Sequence, residues 1–265
     1  MAARIAVFAV GFTSFLVAFA HAHQYNVKFG YTGSIGPTQW GNLSPDYQVC
    51  SNGKLQSPID IVKKDVVSDN QLGPLVKDYG PANATLVDNG FNIAIQLESD
   101  AGGITIQGKS YRLKQLHWHS PSEHTIDGVR YPVELHLVHK SDDGNLAVTA
   151  MLYKFGDRDS FLTQLKDHID QLAKEACGGD EDALVPLGIL EAKEMEKTTQ
   201  KYYRYIGSLT IPPCTENVIW SIPAKVRELT MEQVAALKAP LDASCKNNAR
   251  PTQPLNGRQV QLHHE

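Results

Sequence analysis

Five of the ten histidines of this chain fall within the 26 residues from Gln115 to Lys140, "QLHWHSPSEHTIDGVRYPVELHLVHK". Imidazole is the commonest metal ligand and titrates near neutral pH, so the spacing within this stretch carries chemical information. Along a strand successive side chains alternate faces, which puts His117 and His119 on one face with Trp118 on the other. In the next strand-like run Glu134, His136 and Val138 share one face, and Leu135, Leu137 and His139 the opposite one. The 16 residues between His119 and His136 suit a loop joining neighbouring strands, which brings a third imidazole beside the first two.

Three neutral histidines on a rigid sheet suit Zn2+ and leave its fourth tetrahedral position open. An open position points to catalysis, because zinc lowers the pKa of bound water to about 7 and so supplies hydroxide at neutral pH. Gln115 and Glu134 lie on the same strand faces as the ligands and can accept the second N–H of a ligating imidazole. A lone H-x-H is more often an ordinary pair of strand residues. The third histidine and two polar neighbours at matched parity shift the reading to a metal site. His124 and His139 break that parity and read as structural histidines satisfied by hydrogen bonds.

Strands must position these residues, and strand-like runs dominate the chain: "ATLVDNGFNIAIQL" from Ala84, "GITIQGKSYRLKQLHWH" from Gly103, "VELHLVHK" from Val133, "LAVTAMLYKF" from Leu146, then "YYRYIGSLT" and "NVIWSIP". Helical signals are fewer. "SFLTQLKDHIDQLAKEA" places Phe161, Leu165, Ile169 and Leu172 at helical spacing, and "TMEQVAALK" opens on a capping-box pair, Thr230 and Gln233. The pattern predicts a mostly β single domain around a large, mainly antiparallel twisted sheet with short helices outside.

Composition narrows the partners. The 265 residues are 42% hydrophobic and 20% charged, enough for one globular domain, and a formal net charge of −4 leaves no general basic surface for nucleic acid. Residues 1–22, "MAARIAVFAVGFTSFLVAFAHA", place Arg4 before an apolar run and end in Ala20-His21-Ala22, the pattern of a cleaved secretory signal. The mature domain then spans 23–265, with no membrane contact after cleavage. A secretory route permits disulfides, and Cys50, Cys177, Cys214 and Cys245 allow three complete pairings that spacing does not separate. Asn42 and Asn83 stand in glycosylation sequons; a proline follows the first, so Asn83 is the better acceptor.

The segments "QLHWH", "PSEH", "ELHLVH", "GSLTIPPC", "QSPIDI" and "NNARPTQPLNGRQV", recurring in order from about residue 27 to about 262, resemble the alpha-class carbonic anhydrases. "FGYTGSIGPTQWGNL" and "QKYYRYIGSLT" look like the plant branch. The resemblance implies His117, His119 and His136 as zinc ligands, with Gln115 and Glu134 as their hydrogen-bond partners. It implies Thr210 as a gatekeeper that donates to Glu123, and an apolar carbon dioxide pocket of Val138, Val148, Leu209, Val218 and Trp220. Ile211, where many relatives have threonine, would make that pocket more apolar. On bare sequence Thr210 would more often be a strand-end residue, Glu123 a solvated acid and the pocket residues plain core.

The reaction so implied is hydroxide attack on carbon dioxide to give bicarbonate, followed by loss of a proton to restore the site. Many fast relatives carry a shuttle histidine directly after an Asn-Gly pair, and here Phe91 follows Asn89-Gly90. Hydration is expected to persist with slower, buffer-dependent proton transfer that a Phe91→His change would accelerate. The resemblance also implies a Cys50–Cys214 disulfide, and leaves Cys177 and Cys245 either bridged or free. The main alternative is a storage or binding protein on the same fold. A zinc hydrolase for larger substrates would need a wider pocket. The destinations implied are the cell wall or extracellular space, then vacuole or plastid; monomer and dimer both stay open.

Overall fold

The computed structural model describes residues 27–177, 183–191, 195 and 199–264, so the leader expected at 1–22 lies outside the described residues. A large twisted sheet runs through the molecule, and the order across it is Leu184–Leu190, Ala82–Asp88, Ile93–Leu97, Lys109–His119, Val133–Lys140, Leu146–Phe155, Glu216–Pro223, Tyr202–Ser208, Gln261–His263 and Val67–Ser68. Most neighbours are antiparallel, as the alternating pattern predicts; Leu146–Phe155 runs parallel to Glu216–Pro223, which makes the sheet mixed.

Local chemistry fixes several of these elements. Gln107 and Gly108 both take positive φ, which matches a two-residue hairpin to the right-handed twist of the strands it joins, Gly102–Ile106 and Lys109–His119. Thr230 and Gln233 cap the Met231–Lys238 helix reciprocally, as the sequence predicts. Pro186 and Gly188 interrupt the Leu184–Leu190 strand, whose edge position tolerates them.

The sheet separates two apolar clusters. Leu116, Trp118, Leu135, Leu137, Met151 and Tyr153 face a larger one, onto which the Ser160–Cys177 helix packs Phe161, Leu165, Ile169 and Leu172. The rings of Trp118 and Phe161 stack with centroids 6.3 Å apart. On the opposite face Val148, Ala150, Leu152, Tyr203, Tyr205, Val218 and Trp220 form a smaller cluster. The histidines share this second face.

Cys50 and Cys214 form a disulfide across 164 residues of chain, while Cys177 is exposed and Cys245 buried, both as free thiols. Asn42 and Asn83 are both exposed.

Candidate metal centre

The antiparallel register sets His136 directly opposite His117 and Glu134 opposite His119. Cross-strand neighbours on one face lie about 4.5–5.5 Å apart, close enough for their rings to converge. One ring nitrogen from each of His117, His119 and His136 falls within 4.8 Å of the others. His117 Nε2 and His136 Nδ1 stand 3.2 Å apart.

In each ring the remaining nitrogen is already engaged. His117 Nδ1 donates to Gln115 Oε1 at 2.8 Å, His119 Nδ1 to the Asn248 carbonyl at 2.6 Å, and His136 Nε2 to Glu134 Oε1 at 2.7 Å. These bonds fix the tautomers and leave His117 Nε2, His119 Nε2 and His136 Nδ1 as bare lone pairs aimed at one point. His119 Nε2 is buried with no hydrogen-bond partner, a costly arrangement that a cation would relieve. Burial, followed by the charges of its two neighbours, holds the His117 pKa well below the usual imidazole range, and burial takes His119 down to about 4. All three rings are therefore neutral at physiological pH, the form that binds metal, and the donor set fits Zn2+.

Glu134 is wholly buried and accepts from four groups: the backbone N–H of Glu123 at 2.8 Å and of His124 at 2.7 Å, His124 Nδ1 at 2.6 Å and His136 Nε2 at 2.7 Å. Burial would raise its pKa, but His124 and His136 outweigh that and hold it well below the usual carboxylate range. His124 continues the network through Nε2 to the Tyr205 hydroxyl at 2.7 Å, which meets Ser57 Oγ at 2.7 Å. His139 on the other face bonds the Tyr79 hydroxyl and the Ala147 carbonyl. Both behave as the structural histidines that their parity predicts.

Glu123 and Thr210 are both buried beside this point. Glu123 Oε2 lies 3.5 Å from His119 Nε2, and Oε1 accepts from the Arg250 backbone N–H at 2.9 Å. Burial raises its pKa to about 7, against the lowering effects of His136 and the Thr210 side chain. Val138, Val148, Leu209, Val218 and Trp220 come together in the smaller cluster on the same face. Ile211, next to Thr210 in the chain, is half-buried and packs against the larger cluster.

Phe91 lies on the opposite face of the sheet from the histidines. Ala94 pairs with His117 and Gln96 with Gln115, so even-numbered side chains of this strand face the histidines and odd-numbered ones face away. The Asn89–Asn92 turn delivers Phe91 to the far side, where its ring packs 5.0 Å from that of Phe29 in the larger cluster. Phe91 therefore does not occupy a position from which a side chain could pass protons to the site.

Two residues escaped the sequence reading. Asn248 holds His119 through its carbonyl and anchors the Ser120 N–H and the Phe91 carbonyl through its side chain. The Arg250 guanidinium, 1% exposed, donates to the carbonyls of Cys50 and Ser57 and to Gln56 Oε1, with Trp40 beneath it. The only signal for either was their place in the "NNARPTQPLNGRQV" segment.

A model of the eukaryotic-type carbonic anhydrase family matches residues 35–264. The chain belongs to that family. It is 44% identical over 228 residues to alpha carbonic anhydrase 7 of Arabidopsis thaliana, covering 86% of this chain and 81% of that one. It is also 41% identical to dioscorin DB3L of Dioscorea polystachya, over 85% of this chain and 81% of the other. Among solved structures, dioscorin complexed with ascorbate superposes with a TM-score of 0.85 at 36% identity, covering 90% of this chain and 98% of that one. The carbonic anhydrase fold is thus mostly β, as the sequence predicts, and the family as a whole uses zinc to interconvert carbon dioxide and bicarbonate.

Proposed function

We propose that this protein is a zinc-dependent carbonic anhydrase that reversibly hydrates carbon dioxide, with His117, His119 and His136 as the metal ligands. The observation that carries the reading is the three bare imidazole nitrogens, each with its partner nitrogen fixed by a separate acceptor. Zinc held there supplies a hydroxide nucleophile at neutral pH.

The chain's own residues do the rest. Glu123 takes the Thr210 hydroxyl proton into a hydrogen bond, which leaves the threonine oxygen as an acceptor and fixes the orientation of the nucleophile. Val148, Val218 and Trp220 are almost wholly buried and, with Leu209 and Val138, offer an apolar wall suited to a substrate without a net dipole. His117 is 8% exposed against 0% for His119 and 1% for His136, so the site opens to solvent on the His117 side. Gln115, bonded to His117, flanks that opening and positions the ring. The same nucleophile can attack activated esters weakly.

The protein follows the secretory route, by this reading, through cleavage of residues 1–22, and works outside the cell or in the cell wall. The disulfide supports an oxidising compartment. Asn83 is the preferred glycan acceptor.

A second reading, a storage or binding role on the same fold, is favoured by the likeness to dioscorin. Metal analysis of the purified mature protein, together with stopped-flow carbon dioxide hydration over a range of buffer concentrations, separates the two. About one zinc per chain with buffer-dependent turnover is the expected result. Stoichiometric zinc without hydration would favour the storage reading and sink the enzyme.

A further inference from the structure

Residues 248–250 touch the candidate site twice with their backbone. The Asn248 carbonyl accepts from His119 Nδ1 at 2.6 Å, and the Arg250 N–H donates to Glu123 Oε1 at 2.9 Å. The second bond occupies one oxygen of a wholly buried carboxylate. Its other oxygen, Oε2, is buried with no bonded partner, and the Thr210 side chain is the hydroxyl donor that acts on this carboxylate. The place of the Arg250 backbone therefore decides which oxygen is left for Thr210.

Any residue but proline can supply a backbone N–H, so the use of arginine at 250 lies in its side chain. The guanidinium is 1% exposed, and its bonds all go to uncharged oxygens: Nη1 to Gln56 Oε1 at 2.9 Å and to the Ser57 carbonyl at 2.8 Å, Nη2 to the Cys50 carbonyl at 2.7 Å. Trp40 lies beneath it, 5.5 Å from the ring centroid. Burying a cation in this way is costly unless its donors are satisfied. A rigid planar fork meets three acceptors at once, which the compact ammonium of lysine does not. Gln56 carries the contact onward, because its Nε2 donates to the Cys214 carbonyl at 3.1 Å. Cys214 is bridged to Cys50 and follows Thr210 closely in the chain. A closed circuit thus runs from Glu123 through Arg250 and Gln56 to the segment that carries Thr210.

We propose that Arg250 is a positioning residue for the Thr210–Glu123 pair. Its guanidinium pins the 248–250 backbone to the 50–57 segment, so that its N–H holds Glu123 Oε1 and Oε2 is kept for the threonine hydroxyl. The inference rests on the carbonic anhydrase reading, in which that hydroxyl orients the nucleophile. Arg250 touches no reacting atom and acts through Glu123.

Arg250→Lys keeps the charge and the N–H but lacks the fork. Hydrogen exchange at the residue-250 amide, followed by NMR in the zinc-free full chain, tests the placement. Exchange there should be about tenfold or more faster in the variant, with the amides of the Val133–Lys140 strand unchanged. Hydration by the zinc-loaded protein tests the consequence: kcat/KM should fall about 10- to 100-fold. The same change made on a Thr210→Ala background should cost less than about twofold, because the effect passes through the threonine. Gln56→Met cuts the link to Cys214 and leaves Arg250 in place; it should show both effects in smaller degree, and it decides the question if Arg250→Lys does not fold. Unchanged exchange at amide 250 overturns the proposal, as do losses in kcat/KM that add in full on the Thr210→Ala background. A wild type that binds zinc without hydrating carbon dioxide removes the enzyme reading instead, and the exchange result then decides the placement alone.

Discussion

Glu134 Oε1 sits 2.7 Å from His136 Nε2 and 2.6 Å from His124 Nδ1, so a single buried carboxylate oxygen holds one metal-facing imidazole and one structural imidazole at once. The second oxygen is occupied by two backbone N–H groups. The carboxylate cannot turn toward the metal point without abandoning four donors.

Replacing this carboxylate with its neutral isostere tests that arrangement. Glu134→Gln keeps an acceptor for only some of the four donors and removes the charge that polarises His136. Zinc affinity, read by chelator competition, should fall about 10- to 100-fold with the fold intact. An unchanged affinity would mean that the tautomer of His136 is set elsewhere.

Phe91→His is expected to bring no gain in turnover at low buffer, because the side chain points into the larger apolar cluster and not toward the histidines. The buried imidazole should instead cost about 1–3 kcal/mol of stability. Urea unfolding and stopped-flow hydration on the same preparation check both halves. A clear acceleration would show that the turn rearranges.

Thiol chemistry provides a third check. In the native oxidised protein Cys177 should react quickly with a maleimide and Cys245 only on unfolding, with Cys50 and Cys214 recovered as one linked pair in a non-reducing peptide map. Removing that bridge by a double Ala substitution should cost about 2–4 kcal/mol, since it closes a long loop of chain.

Lys77 makes stability depend on pH. Its folded pKa of about 8 is below the ordinary 10.5, so between those values the unfolded chain binds more protons and stability rises with pH. Below about pH 8 both states are protonated and the full cost of the buried charge, on the order of 3 kcal/mol, is present. Lys77→Met should therefore be more stable than wild type at pH 7 and lose that advantage by pH 10.5, measured by urea unfolding.

Much of the candidate metal centre was legible because the three histidines proposed as ligands and two of their acceptors lie on adjacent strands, where alternation alone assigns the face. Asn248 was not, since it reaches His119 from 129 residues away and contributes a backbone carbonyl, which any residue carries. The face that Phe91 takes was not legible for a related reason. The period of a strand is two, so a small change in turn length moves a residue to the opposite face while its neighbours in sequence look unaltered. The Leu184–Leu190 strand escaped because Pro186 and Gly188 break its pattern, which only an edge position permits. The two main helices were plain from their spacing and caps.

Because the third acceptor arrives from so far along the chain, the order of events in synthesis is constrained. His117, His119 and His136 emerge close together and can pair as neighbouring strands early. Yet His119 has no fixed tautomer until Asn248 docks, and Arg250, two residues later, must reach back across 200 residues to the Cys50 carbonyl. Contacts so distant in sequence form late, and tight metal binding depends on a finished site. Zinc uptake would then act as an inspection step in biogenesis, favouring chains whose C-terminal segment has closed over the sheet.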